Sequence, residues 1–224
     1  MADLKKRNQA DRPPYARIRQ MKRGSYDKET AYRVLDTGLV AHVGFLHEER
    51  PMVIPMAYAR SGDTLYLHGA STTRLVKEDA AGLPMCLTVT MVDGLVAARA
   101  AFHHSMNYRC AIVHGTSRII EDPDEQTKAL AAITDHLMPG RWDECRPMTG
   151  KELKATGVLS MSIDQVSTKI RAGAPGDDEE DLELDIWAGV VPITTALGMP
   201  ISDPHVANGT DFPASVRRAK QKFA

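Results

Sequence analysis

Residues 50–76 read Arg50-Pro-Met-Val-Ile-Pro-Met-Ala-Tyr-Ala-Arg60, then Ser61-Gly-Asp63, then Thr64-Leu-Tyr-Leu-His-Gly-Ala-Ser-Thr-Thr-Arg-Leu-Val76. Two β-prone runs flank a glycine-containing turn, which predicts a hairpin. The second run ends at His68-Gly69, and a helical pattern over 72–81 follows Ser71, a natural N-cap. Thr72, Thr73 and Arg74 fill the first turn. Unpaired N–H groups, hydroxyls and a guanidinium gathered at one helix start suit an anion, most often a phosphate. A plain helix cap with a surface arginine is the competing reading. Neither Gly-x-Gly-x-x-Gly nor a Walker-type Gly-Lys-Ser/Thr occurs, so the stretch is no standard nucleotide fingerprint.

Working outward, Asp27 caps a predicted helix with Ala31, Val34 and Leu35 on one face and Gly38 at its C′ position. Residues 39–46 read as a strand, and His47-Glu48-Glu49 turns the chain into the hairpin. Downstream, 84–92 reads as a strand, Asp93-Gly94 as a hairpin turn into 95–100, and 108–120 as a long strand with a bulge at Gly115. Asp122-Pro123 opens a helix carrying Leu130, Ile133 and Leu137. Two more strands follow at 158–163 and 167–172, then a solvated acidic run at 176–185 and an apolar segment from Trp187. Six or seven strands joined mostly by hairpins predict a mainly β protein, an antiparallel barrel decorated by helices.

The 224 residues carry a net charge of −1, with 43% hydrophobic and 25% charged residues. That balance gives an ordinary globular core and argues against a nucleic-acid or anionic-membrane binder. No apolar run reaches transmembrane length, and the first residues lack a signal-peptide core, so cytoplasm is the expected compartment. Cys86, Cys110 and Cys145 suit reduced thiols better than disulfides or zinc. Adjacent His103-His104 point to opposite faces of a strand and cannot share an ion, so no metal is expected.

Gly24-Ser-Tyr-Asp, Gly38-Leu-Val-Ala-His-Val-Gly-Phe, Val53-Ile-Pro, Leu65-Tyr-Leu-His-Gly-Ala-Ser, His103-His-Ser-Met-Asn-Tyr-Arg and Trp187-Ala-Gly-Val occur in an order that resembles the flavin-binding split-barrel superfamily of the pyridoxamine 5′-phosphate oxidases. The likeness is nearest to its nitroimidazole-resistance (Nim) type. The resemblance implies a six-stranded Greek-key split β-barrel over 25–195; by their polar composition, 1–24 reads as an arm and 196–224 as a tail. The resemblance also implies a homodimer holding FMN, or another flavin, between its subunits. By the same likeness, backbone groups of Met52, Val53, Ile54 and Pro55 meet the flavin edge. Leu67 and His68 lie along the ring and ribityl chain, and Thr73 and Arg74, helped by Thr72, take the phosphate.

Arg109 faces the reduced ring in one reading and is a surface arginine in a cross-strand pair in the other. Trp187 anchors the barrel or an interface. The substrate-phosphate lysine of the oxidases is replaced by Ala57, and their Arg-x-His motif has no counterpart after Trp187, which argues against vitamin B6 oxidation. The expected activity is flavin-dependent electron transfer from a small donor to a nitro-aromatic or quinone-like acceptor. A non-catalytic flavin carrier and a haem-handling split barrel are the alternatives.

Overall fold

The computed structural model describes residues 11–78, 82–207 and 209–222. The predicted caps form as expected: Asp27 accepts the Thr30 N–H at the start of α1 (Lys28–Thr37), and Asp122 accepts that of Glu125 at α3 (Pro123–Leu137). Gly38 keeps an ordinary φ of −69°. Its use is close packing, because a Cβ there would lie 2.2 Å from Val89 Cγ1.

Ten strands form the sheet: β1 (Gly24–Ser25), β2 (Ala41–His47), β3 (Arg50–Met56), β4 (Tyr58–Ser61), β5 (Thr64–Ala70), β6 (Pro84–Ala97), β7 (Ser105–Ile119), β8 (Thr156–Ser162), β9 (Gln165–Arg171) and β10 (Gly189–Pro192). The order is β3-β2-β6-β7-β8-β5-β4, with β9 on β7, β1 on β9 and β10 on β6. Every pairing is antiparallel and the sheet does not close. This is the mainly β split-barrel architecture. The strands beyond the six expected are short pieces such as β1, β4 and β10.

Three local readings change. The run 50–60 is not one strand: it breaks at Ala57, β3 pairs with β2, and β4 pairs with β5. Asp93-Gly94 is no turn, since β6 passes through it with a register shift between Val92 and Gly94, and β10 pairs alongside. Gly115 is no bulge against β6, where it opposes Met85. It stands where β7 passes from β9 (Tyr108–His114) to β8 (Ser117–Ile119). A Cβ there would meet the Ser162 carbonyl oxygen at 1.8 Å, so the split itself needs glycine.

The main core gathers Leu35, Val43, Leu65, Leu67, Leu87, Val113, Leu159 and Met161 inside the barrel. A second, smaller core of Ile120, Ala129, Leu130 and Val158 lies under α3 and α4 (Gly150–Ala155). The tail ends in α5 (Ala214–Lys222), where Ser215 bonds Glu144 and Arg218 donates to the Pro139 carbonyl. The arm also packs: Ala16 is buried and Arg12 donates to Gln165. No helix among the described residues is long and apolar enough to cross a membrane.

Candidate functional site

The edge strand β3 presents few polar groups, for a reason visible in its register. Glu48 and Glu49 both take positive φ (47° and 60°) in a two-residue turn, so His47 and Arg50 close it as a bonded pair. Bonded pairs then recur at Phe45/Met52, Val43/Ile54 and Ala41/Met56. Met52 and Ile54 therefore spend their main-chain groups on β2, and both pack against the core. The main-chain groups of Pro51, Val53 and Pro55 point outward. Proline has no N–H, so neither sacrifices a ladder bond. Val53 supplies the lone outward N–H between them, and its side chain is 64% exposed.

On β5, strict alternation sorts the faces. Leu67 is sealed in the barrel core and its strand is paired on both sides, which withdraws it from any ligand. His68 turns to the other face, opposite Val158 and near the second core. Its Nδ1 is buried without a hydrogen-bond partner, and burial holds its pKa below the ordinary 6.5, so the ring is neutral at pH 7.

After β5 the backbone turns before it coils. Ser71 N–H donates to the Ala155 carbonyl (2.9 Å), Thr73 N–H to Ala70, and Lys77 N–H to Thr73. The helix α2 thus begins at Arg74 and is described to Glu78; the predicted residues 79–81 lie outside the described ones. Ser71 is not its N-cap. Thr72, Thr73 and Arg74 are exposed, and their hydroxyls and guanidinium are the groups there that suit an anion.

Arg109 takes the cross-strand option. Its Nε and Nη2 donate to the two oxygens of Asp93 at 2.9 and 2.7 Å. Trp187 is 67% exposed, so it does not anchor the barrel. The acidic run is partly tied down, as Asp177 accepts from the Arg99 and Ala100 N–H groups and pairs with the Arg99 side chain. Donor atoms of His103, Asp178 and Asp181 lie within 4.8 Å of one another, a grouping assembled by the loop and hidden from local spacing.

Sequence reasoning missed a groove of about 620 Å³ on the outer face of the sheet, lined by Met52 and Val53 together with Tyr15, Gly44, Cys86 and His114. Val53, Gly44, Cys86 and His114 form one row by register across four strands. Gly44 leaves the floor of that row flat. Burial lowers the His114 pKa and raises that of the Cys86 thiol, so both are uncharged at pH 7. A second groove, of about 550 Å³, adjoins Ser71 and runs between α3, α4 and the start of β8.

With this geometry, the pyridoxamine 5′-phosphate oxidase family profile matches residues 27–170. Among solved structures, the flavocytochrome Anf3 from Azotobacter vinelandii is 36% identical, with a TM-score of 0.86 over 92% of this chain and 96% of that one. The FAD and haem binding protein from Mycobacterium smegmatis is 39% identical, with a TM-score of 0.84 over 88% and 97%. A Bacteroides thetaiotaomicron protein assigned to 5-nitroimidazole antibiotic resistance is 22% identical, with a TM-score of 0.56 over 66% and 86%, and shares the fold. No curated protein matches the chain.

Proposed function

We propose a redox role from one premise: the chain belongs to the pyridoxamine 5′-phosphate oxidase family. In this reading it binds a flavin nucleotide and haem, and passes electrons from a reduced donor to a small planar acceptor. The observation that carries it is the match, along nearly the whole chain, to two proteins whose names declare both groups.

The residues present fit a flavin. Val53 offers an outward N–H and carbonyl, Pro55 a carbonyl, His68 an unpartnered nitrogen, and Thr72, Thr73 and Arg74 two hydroxyls and a guanidinium. FMN, which the resemblance implies, and FAD share the mononucleotide half that these groups would hold. The residues also fit haem: His68 and His114 are imidazoles kept neutral by burial, the form that binds iron. When bound, the flavin supplies one- and two-electron chemistry and the haem one-electron steps.

The chain's own groups set what else enters. Gly44 and the apolar walls of the first groove favour a flat, uncharged acceptor of the nitro-aromatic or quinone kind. Ala57 leaves no cation for a substrate phosphate, which disfavours pyridoxamine phosphate. Exposed Leu46 and Val53, on one face of the β2–β3 hairpin, give a second copy of the chain an apolar surface to cover, supporting a homodimer with the flavin between subunits.

The visible spectrum of the purified protein tests the reading. Flavin bands with a Soret band are expected, followed by oxidation of a reduced nicotinamide with a nitro-aromatic acceptor. No chromophore, even after incubation with flavin and haemin, would overturn it. Flavin without a Soret band removes the haem half, and turnover no faster than free flavin makes the protein a non-catalytic flavin carrier.

A further inference from the structure

Residues 177–185 put seven carboxylates into nine positions, with no lysine or arginine among them. Among the described residues, only Arg99 and His103 pair with this run. Arg99 is spent on Asp177, whose side chain is 1% exposed and also accepts the Arg99 and Ala100 N–H groups. That anchor holds the next residue, Asp178, against the connection between β6 and β7. The connection carries His103 at the end of the 3-10 turn Ala101–His103.

On the acidic side, Asp178 opens a second 3-10 turn, Glu179–Asp181, and the Asp181 N–H donates to the Asp178 carbonyl at 3.0 Å. Side chains three residues apart eclipse in this kind of turn, so the Asp178 and Asp181 carboxylates lie on one side of it. His103 approaches from 75 positions away in the chain. Its Nε2 stands 3.2 Å from Asp178 Oδ2, and donor atoms of all three residues lie within 4.8 Å of one another. Two ligands of one tetrahedral zinc, on bonds of about 2.0–2.1 Å, are roughly 3.3 Å apart. The His103–Asp178 spacing matches that edge.

We infer that His103, Asp178 and Asp181 bind one divalent transition-metal ion of the zinc class, which clips the acidic strap to the β6–β7 connection. A side-chain rotation of Asp181 closes the remaining gap. An imidazole among the donors favours zinc and its neighbours over calcium and magnesium, which take shells of oxygen. Three protein ligands leave a further position for water. With Arg99 committed to Asp177, the ion also supplies the positive charge that Asp178 and Asp181 otherwise share with a single imidazole. None of the three side chains is among those offered to the flavin or the haem, so the site stands or falls independently of the proposed function.

The test is calorimetric titration of the chelator-treated full chain with Zn2+, with Co2+ as a coloured substitute. Wild type is expected to bind one equivalent, and its Co2+ complex to show the visible bands of a site with few, mixed nitrogen and oxygen ligands. His103→Ala and Asp181→Asn are each expected to weaken zinc by at least about tenfold, because even partners one step removed from a metal contribute that much. Two controls separate ligation from diffuse attraction to the acidic run. Glu180→Gln removes a neighbouring charge, and His104→Ala a neighbouring imidazole whose Nδ1 faces the Ala100 carbonyl. Each control should stay within about twofold of wild type, since exposed charges act weakly at ordinary salt. Zinc binding that is missing in wild type, or that survives both ligand variants, overturns the inference. A loss in Glu180→Gln as large as that in Asp181→Asn overturns it too, because the run would then be a diffuse charge surface and not a site.

Discussion

Arg109 on β7 grips Asp93 across the ladder with two parallel hydrogen bonds of 2.9 and 2.7 Å, and Asp93 is the residue at which β6 slips register. The acid that reads as half of a turn signal is held inside a continuous strand by a cation sixteen positions away. The Ile193 N–H donates to the Asp93 carbonyl, so β10 secures the same point from the other side. The guanidinium is thereby committed to a structural pair, and its pKa is raised chiefly by the Asp93 hydrogen bonds. Both side chains are more than a third exposed, so screening keeps the pair's worth small. Asp93→Ala should cost about 0.5–1 kcal/mol in urea unfolding and leave flavin affinity unchanged. A large fall in flavin affinity would return Arg109 to the cofactor site.

Gly115→Ala tests the split. With the new methyl carbon 1.8 Å from a backbone oxygen, β7 or the β8–β9 connection must move. The expected cost is about 3 kcal/mol, at the upper end for overpacking because the obstacle is main chain. A urea midpoint close to wild type would mean the two strands separate easily.

Val53→Pro probes the free edge. Proline at an outward position of β3 should be tolerated as Pro51 and Pro55 already are, leaving the melting temperature nearly unchanged. It deletes the outward donor, so flavin affinity should fall by about 1–2 kcal/mol. Full affinity in a folded variant would take the β3 backbone out of the site.

Arg74→Ala should weaken flavin binding by about 1–3 kcal/mol if its guanidinium meets a phosphate. Riboflavin, which has no phosphate, should bind wild type and variant alike. Equal losses for riboflavin and the nucleotide would point to a disturbed fold.

The response to acid has a definite sign. His68, His114 and His136 each titrate below their ordinary 6.5 in the folded chain, in every case chiefly because burial disfavours the cation. The unfolded chain therefore takes up protons first as pH falls through 6.5. Stability is fully present above that value and is lost progressively below it. Urea midpoints should drop between about pH 7.5 and pH 5.5, where the carboxylates are still ionised. A midpoint that holds or rises would show these rings accept protons without penalty.

Local chemistry was legible in the sequence wherever a residue acts on its neighbours. Asp27 and Asp122 cap helices because an N-cap bond spans only three residues, and the alternation Leu65-Tyr66-Leu67-His68 already separates core from outer face. The flavin-binding family could be read from the order of short motifs. What stayed hidden depends on register between distant strands. The break at Ala57 follows from β3 and β4 choosing different partners, and Asp93-Gly94 is overridden by Arg109 and β10. The row from Val53 to His114 exists only once four strands are aligned. Ser71 resembled a cap because its N–H bond to Ala155 joins segments far apart in the chain.

The proline pair on β3 has a protective side as well. A foreign strand trying to extend the sheet past Pro51 and Pro55 would find a single amide proton in reach, too few to zip up a new ladder. The cleft can thus stand open to a small guest without inviting fibrillar growth between molecules, whether or not that guest is present.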